Sequence, residues 1–372
     1  MKRKFKMILG VLLIIMLLAG CATTQPGVSV EPKTEAEVKE EAAQPLKVGL
    51  VINGNIDDRA FNQSTWEGIQ RAGDNFGLET QYLHAGGSSD EDALKAIQNM
   101  VDSGFNLIIM PGYTFSSAIH TAQYRWPDTK FVILDSAPRA ADADTNDIAE
   151  NAMGIDFAAN EAGFMAGFAA ALQLKEGKFC GVHGMEIPPT QLFITGFQQG
   201  VIYANENFNT NIKIRNEDFV FVGSWTDHQL GQQTAAQLYD SGCNLIYIAG
   251  GPGALNEAKL RGEAGEDIWV VMCDTDRYDD GLLSNGDSVV ITSTLKCLDA
   301  SVYDVIKKLA TENKFEGGQL VIYSIIDDGV GIPKVNPNLD DSVQTTVDEI
   351  YNKVKSGEIV ISREATDCSP WN

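Results

Sequence analysis

Four loops of this 372-residue chain gather side chains that can recognise a small molecule. The first runs Asn53-Gly54-Asn55-Ile56-Asp57-Asp58-Arg59-Ala60-Phe61-Asn62-Gln63 and leads into a helical pattern through Trp66, Ile69 and Ala72. Phe61, between the Asp58 carboxylate and the Asn62 carboxamide, offers a flat stacking surface with hydrogen-bonding edges beside it. The plainer reading has Asp57 or Asp58 capping the helix while Phe61 packs on a sheet. The runs KFVILD and IWVVMCD each end on a carboxylate, at Asp135 and at Asp274-Thr275-Asp276, where a turn-capping Asp is also common. Last, Gly250-Gly251-Pro252-Gly253 follows an apolar run and opens a helix, with Asp274 downstream. That order suggests a dinucleotide fingerprint, but Asn256 stands at the third glycine position and Pro252 removes an amide from the turn. The glycines are read instead as letting the backbone approach a smaller ligand closely.

Motifs of catalysis are missing from the sequence: G-x-S-x-G, H-E-x-x-H and the P-loop do not occur. His84, His120, His183 and His228 are scattered singly, so a histidine zinc site is not expected, nor is a cofactor. A formal charge of −23 argues against a nucleic-acid partner, whose phosphates need clustered Lys and Arg.

The elements that position these loops alternate. KVGLVI, Glu79–Leu83, NLIIMP, KFVILD, NAMGID, KFCGVHG, FVFVG, NLIYIAGG, IWVVMCD and SVVITS read as buried strands, separated by helical patterns such as ALKAIQNMVDSG and HQLGQQTAAQLYDSG. A βαβ series of this kind demands parallel sheets with helices on both faces. DSGFNLIIMPG and DSGCNLIYIAGG are near copies, each Gly ending a helix. Two halves then face each other with strand C-terminal loops, where open parallel sheets bind ligands.

Lys2, Arg3, Lys4 and Lys6 precede an apolar run from Met7 to Leu18 that is too short to span a bilayer, the form of a signal peptide. Leu18-Ala19-Gly20-Cys21 resembles the bacterial lipobox, which makes Cys21 the lipidated first residue of the mature chain. Residues 21–45 lack aromatics and apolar periodicity and read as a flexible tether. Leu46 to Asn372 exceeds what a single core usually serves, so two lobes are expected. Cys180, Cys243, Cys273, Cys297 and Cys368 contain no CxxC pair and are expected to be mostly free, buried thiols.

The stretches IDDRAFNQSTWEGI, MGIDFAANEAGFMAGFAA, GMEIPP with FITGFQQGV, VGSWTD, AGGPG, CDTD and TSTLKCLDASVYDVI cover nearly all of Leu46–Gly357 in order. They resemble the basic membrane protein (BMP) lipoproteins, the purine-nucleoside-receptor type of ABC transporter substrate-binding protein. The resemblance implies an α/β type I periplasmic-binding fold, two Rossmann-like lobes joined by three hinge crossings. One lobe is expected from 46–152 plus about 290–318, the other from 153–289 plus about 319–372. It also implies aromatics sandwiching a base while acidic residues and a lysine hold the ribose. Matched by motif, the ligand-binding residues are Asp58, Phe61, Asn62, Asp135, Gly251, Asp274 and Lys296, with Trp225 and Tyr247 as second aromatic faces. Trp225 stands where Phe is usual and Pro252 where Thr or Ser is more usual. Asp274 and Lys296 are expected side by side. The implied protein is not an enzyme but a lipid-anchored receptor on the extracytoplasmic face of the cell membrane, extracellular or periplasmic. It would pass a nucleoside, purine first, to an ABC permease. Alternatives are a sugar or other small heterocycle as ligand, or an enzyme or surface antigen on the same scaffold.

Overall fold

The computed structural model describes residues 45–371; the expected signal segment, Cys21 and nearly all of the tether lie outside them. The described chain begins with β1 (Lys47–Ile52), α1 (Phe61–Phe76), β2 (Glu79–His84), α2 (Asp90–Asp102), β3 (Leu107–Pro111), α3 (Ser116–Arg125), β4 (Lys130–Leu134) and β5 (Ala152–Phe157). There follow α4 (Ala159–Leu174), β6 (Glu176–His183), α5 (Pro188–Asn207), β7 (Asn211–Phe221), α6 (His228–Asp240), β8 (Leu245–Ala249), α7 (Ala254–Glu263), β9 (Trp269–Met272) and β10 (Val290–Ser293). The last elements are β11 (Leu295–Lys296), α8 (Leu298–Glu312), β12 (Gln319–Tyr323), β13 (Val330–Gly331) and α9 (Asp341–Lys355).

A six-stranded sheet, in the order β12-β5-β4-β3-β1-β2, builds the first lobe, and a five-stranded sheet, β10-β9-β8-β6-β7, the second. Every pairing inside them is parallel. Such strands are covered on both faces, which explains the unbroken apolar runs of β3 and β8. β11 and β13 form a short antiparallel ribbon between the lobes.

The crossings fall later than expected. β5 pairs with β4, and β12 with β5, so residues 152–157 and 319–323 belong to the first sheet; β10 pairs with β9 in the second. An apolar run announces a strand but carries nothing about which sheet it will join. β12 is an edge strand with Ile322 47% exposed; its apolar run Leu320–Tyr323 carries a strand signal but is absent from the strands expected above. β7 extends well upstream of FVFVG because Asn211–Ile214 pairs in register with Glu176–Phe179 of β6; Arg215 and the buried Asp218 pair with each other where that register shifts.

The two near-copied segments perform one job twice. α2 is capped by Ser103 and α6 by Ser241, each followed by a glycine in the left-handed region, Gly104 (φ +81°) and Gly242 (φ +94°). Phe105 N–H then donates to Met100 C=O, and Cys243 N–H to Leu238 C=O, the hydrogen bonds that close a helix around a left-handed residue. The next residue is Asn in both. Asn106 Oδ1 accepts from Lys47 N–H and Asn244 Oδ1 from Lys178 N–H, each at 2.9 Å, which registers the central strand against its neighbour.

α4 and α5 pack by reciprocal glycines. A Cβ on Gly163 or Gly167 would strike the carbonyl oxygens of Phe193 and Phe197, and one on Gly196 or Gly200 those of Asn160 and Phe164. The family-like runs AGFMAGFAA and ITGFQQG are therefore a helix contact rather than a ligand motif. Cys180 and Cys243 form a disulfide, contrary to the reading of buried thiols for that pair; their Cα atoms are brought to 6.1 Å by β6 and the end of α6. Cys273, Cys297 and Cys368 are free.

Candidate ligand site

Parallel strands deliver their C-terminal loops to one edge of each sheet, and the candidate residues lie there. Asp135 follows β4 and Asp274 follows β9 in corresponding places, and both take positive φ, +59° and +69°. Asp tolerates this region better than most residues because its short polar side chain bonds locally. The left-handed residue turns each chain away from its strand and leaves the carboxylate at the strand end.

Lys296, in the ribbon strand β11, is only 4% exposed. Its Nζ donates to Asp135 Oδ2 at 2.6 Å and Oδ1 at 2.8 Å. The rings of Phe61, Phe157 and Phe193 surround it, at 5.5, 5.6 and 4.7 Å from Nζ to the ring centres. The direct ion pair of Lys296 is thus with Asp135 of the first lobe; Asp274 meets Lys296 through the backbone, its carbonyl accepting from Lys296 N–H at 3.0 Å. Burial opposes charge on both partners of the pair. It pushes the Asp135 carboxyl above the usual carboxylate range despite Lys296, with Asp156 and Asp274 adding to the push. Burial also works against the Lys296 charge, yet the attraction of Asp135, Asp274 and Asp156 holds its pKa above the ordinary lysine value.

Asp58 does what the plainer reading expected. Its Oδ1 accepts from the amides of Ala60 and Gln63 and its Oδ2 from that of Asn62, at 2.9–3.1 Å, so it holds the start of α1. Burial raises its pKa, the three amides lower it, and Asp274 across the cleft raises it further. Asn62, buried, donates through Nδ2 to the carbonyls of Asn53 and Asn55 and fixes the first loop. These two side chains shape the wall on which Phe61 stands.

In the second lobe Trp225, 44% exposed, lies on the backbone of Gly184 and Gly250, where a Cβ would meet its ring. Gly251 leaves room for the Val182 carbonyl, and Gly253, at φ +77°, for that of His228. The close approach these glycines permit is that of the protein's own backbone and the Trp225 indole. Tyr247 is fully buried, stacked on Phe197 at 4.8 Å with its hydroxyl 3.1 Å from Thr294 Oγ1; it is a core residue with no open face. Aromatic content in β8 could not tell a ring pointing into the core from one lining a cleft.

Phe157 and Phe193 escaped sequence reading, since both sit inside runs that read as framework. The available signal was position: Phe157 ends β5 at the same sheet edge as Asp135. Around Lys296 the site therefore offers carboxylate acceptors, an ammonium donor and aromatic walls. Asp58, Asp135 and Asp274 outnumber the ammonium, so an anionic ligand is disfavoured. Among the described residues no group of three or more His, Cys, Asp or Glu side chains could hold a metal ion.

Residues 46–365 match the family described as Bmp, ABC transporter substrate-binding protein, PnrA-like. This chain belongs to that family. Among Bmp relatives, the CD4+ T-cell-stimulating antigen of Listeria innocua is 28% identical over 97% of this chain and 98% of its own length. Basic membrane protein A of Borreliella afzelii is 29% identical, covering 85% and 91%. The ABC transporter nucleoside-binding protein BmpA of Lactococcus lactis is 29% identical, covering 91% and 93%. An ABC transporter solute-binding protein of Aeropyrum pernix shares the fold with a TM-score of 0.72 at 23% identity, over 86% of this chain and 94% of that one. The type I two-lobed architecture expected from the sequence is the one found. As a Bmp-family member the protein is a substrate-binding component of an ABC transporter, which works by binding a small molecule for a permease and not by catalysis.

Proposed function

We propose that this protein captures a nucleoside, with purine nucleosides the preferred ligands, and hands it to its permease. The observation that supports this most is the buried Lys296–Asp135 pair inside the ring of Phe61, Phe157 and Phe193, with Asp274 at the matching strand end of the other lobe. A ribose diol needs charged acceptors and a donor, and such charge-assisted bonds are roughly twice as strong as neutral ones. A base needs flat apolar faces, and each stacked base contributes on the order of 1–3 kcal/mol. Phe61 and the half-exposed Trp225 are candidates for those faces. The printed name of the Lactococcus relative points the same way. Lipid anchoring at Cys21, on the extracytoplasmic side of the membrane, completes the proposal; Cys21→Ala protein that still fractionated with membranes after processing would remove it.

Thermal unfolding with added ligand tests the reading. At a hundredfold excess over Kd, inosine, guanosine or adenosine should stabilise the protein by about 2.7 kcal/mol, a clear rise in Tm. No response to any nucleoside, with a rise for a sugar, would transfer the site to that ligand class.

A further inference from the structure

Apart from the Arg363–Asp156 pair beside the first crossing, the hydrogen bonds that join the two lobes away from the crossings among the described residues converge on Arg59. Its guanidinium lies 2.8 Å from Asp280 Oδ1, and its carbonyl accepts from Thr275 Oγ1 at 2.9 Å. One first-lobe residue is thereby held at two points by the second lobe. Asp280 is braced to receive it: Arg277 Nε holds its other carboxylate oxygen, and Lys259 Nζ donates to its carbonyl at 2.9 Å.

The first-lobe side is braced as well. Arg59 has φ +56°, in the left-handed region that a long side chain adopts only when its surroundings impose it. The surroundings are known: Asp58 pins the amides of residues 60, 62 and 63, and Gln63 Oε1 accepts from Arg59 N–H at 3.2 Å. The side chain is 71% exposed and makes no hydrogen bond within its own lobe. Nothing in the packing of the first lobe accounts for it, whereas the second lobe does.

We propose that Arg59, Thr275 and Asp280 form a latch across the mouth of the cleft that holds the lobes together and sets how long a captured ligand stays. Closure brings Asp58 and Asp274 within range of each other's charge, which opposes it. The latch supplies an attraction across the same gap. Its bonds exist only when the lobes meet, so they act on opening and ligand escape, leaving encounter unchanged. Being exposed on one side, the latch weakens as salt rises.

The proposal rests on two lobes closing over a ligand, not on what the ligand is. Hydrogen–deuterium exchange of the full-length protein saturated with inosine, or with the sugar that raises its Tm, tests it first, read in the lobe opposite each substitution. Arg59→Ala should speed exchange in residues 273–280, and Asp280→Asn in residues 53–63; Arg59→Lys should do less. Stopped-flow release of inosine tests it second: Arg59→Ala should raise koff about two- to fivefold, with kon unchanged and the effect shrinking in high salt. If each substitution loosens only its own segment, the latch is refuted. Should wild-type protein fail to bind inosine, the nucleoside reading falls, and the exchange experiment with the sugar that raises its Tm still decides the latch.

Discussion

An ammonium as buried as that of Lys296 is tolerated only because Asp135 meets it with both oxygens. Removing one partner leaves the other charge buried and alone. Lys296→Met should therefore destabilise the fold by about 3–5 kcal/mol in denaturant melts, and Asp135→Asn added to it should recover most of the loss. Equal stability of the two variants would contradict a mutually dependent pair. Asp274→Asn touches no ion pair; it should stay folded and lose more than tenfold in ligand affinity by calorimetry. His183 presents a different case. It is fully buried among Phe219, Phe221 and Tyr247, and neither ring nitrogen has a hydrogen-bond partner. Burial lowers its pKa from 6.5 to about 3. The folded state thus binds fewer protons than the unfolded one between those values, so the stability it confers is whole above pH 6.5 and is lost as pH falls. Relative to His183→Leu, the wild type should lose about 1.4 kcal/mol per pH unit below 6.5. Urea midpoints that fall in parallel for both proteins would show that His183 does not titrate across folding.

Among the elements, the α4–α5 pair has the least tolerance. Four glycines let the two backbones touch, and each Cβ added would meet a carbonyl oxygen on rigid helix. In an isolated helix Gly→Ala is favourable by about 0.8–1.0 kcal/mol. Here Gly200→Ala must push the Phe164 carbonyl away, an overpacking cost of about 1–3 kcal/mol that should outweigh the gain in propensity. Gly357→Ala, at φ +77° in open space, isolates backbone strain from crowding. A Gly200→Ala protein that unfolds later than wild type would mean the helices can separate freely. The near-copied ends of α2 and α6 carry a second lesson. A left-handed glycine and the following Asn set strand register in each lobe, so both positions are dictated by backbone geometry and hydrogen bonding rather than by the ligand.

At the scale of the molecule, the two sheets are stitched by three crossings, and the second lobe alone carries a disulfide. Cys180–Cys243 closes a loop of sequence separation 63, for which chain entropy gives about 4 kcal/mol of stabilisation. Cys180→Ala/Cys243→Ala protein should have a denaturant midpoint lower by an amount of that order, while wild type treated with reductant falls to the same value. An unchanged midpoint in both would show that the bridge does not restrain the unfolded chain. Closure is a property at this scale too. It requires Asp58 and Asp274, on different lobes, to approach, and only the assembled pair of lobes produces that interaction.

The order of strands and helices, the parallel sheets, the acidic strand ends at Asp135 and Asp274 and the loop around Phe61 follow from local pattern, because period, turn residues and caps act over a few neighbours. The capping role of Asp58 was legible for the same reason. Partner choice was not. Lys296 reaches Asp135 rather than Asp274, Tyr247 turns inward while Trp225 stays half-exposed, Cys180 meets Cys243, and Arg59 finds Asp280. Each joins positions far apart in the chain whose meeting depends on which sheet a strand enters and how the lobes close. Apolar periodicity fixes which face of a strand is buried, but burial on both faces makes one sheet edge look like another, and only packing in three dimensions distinguishes them.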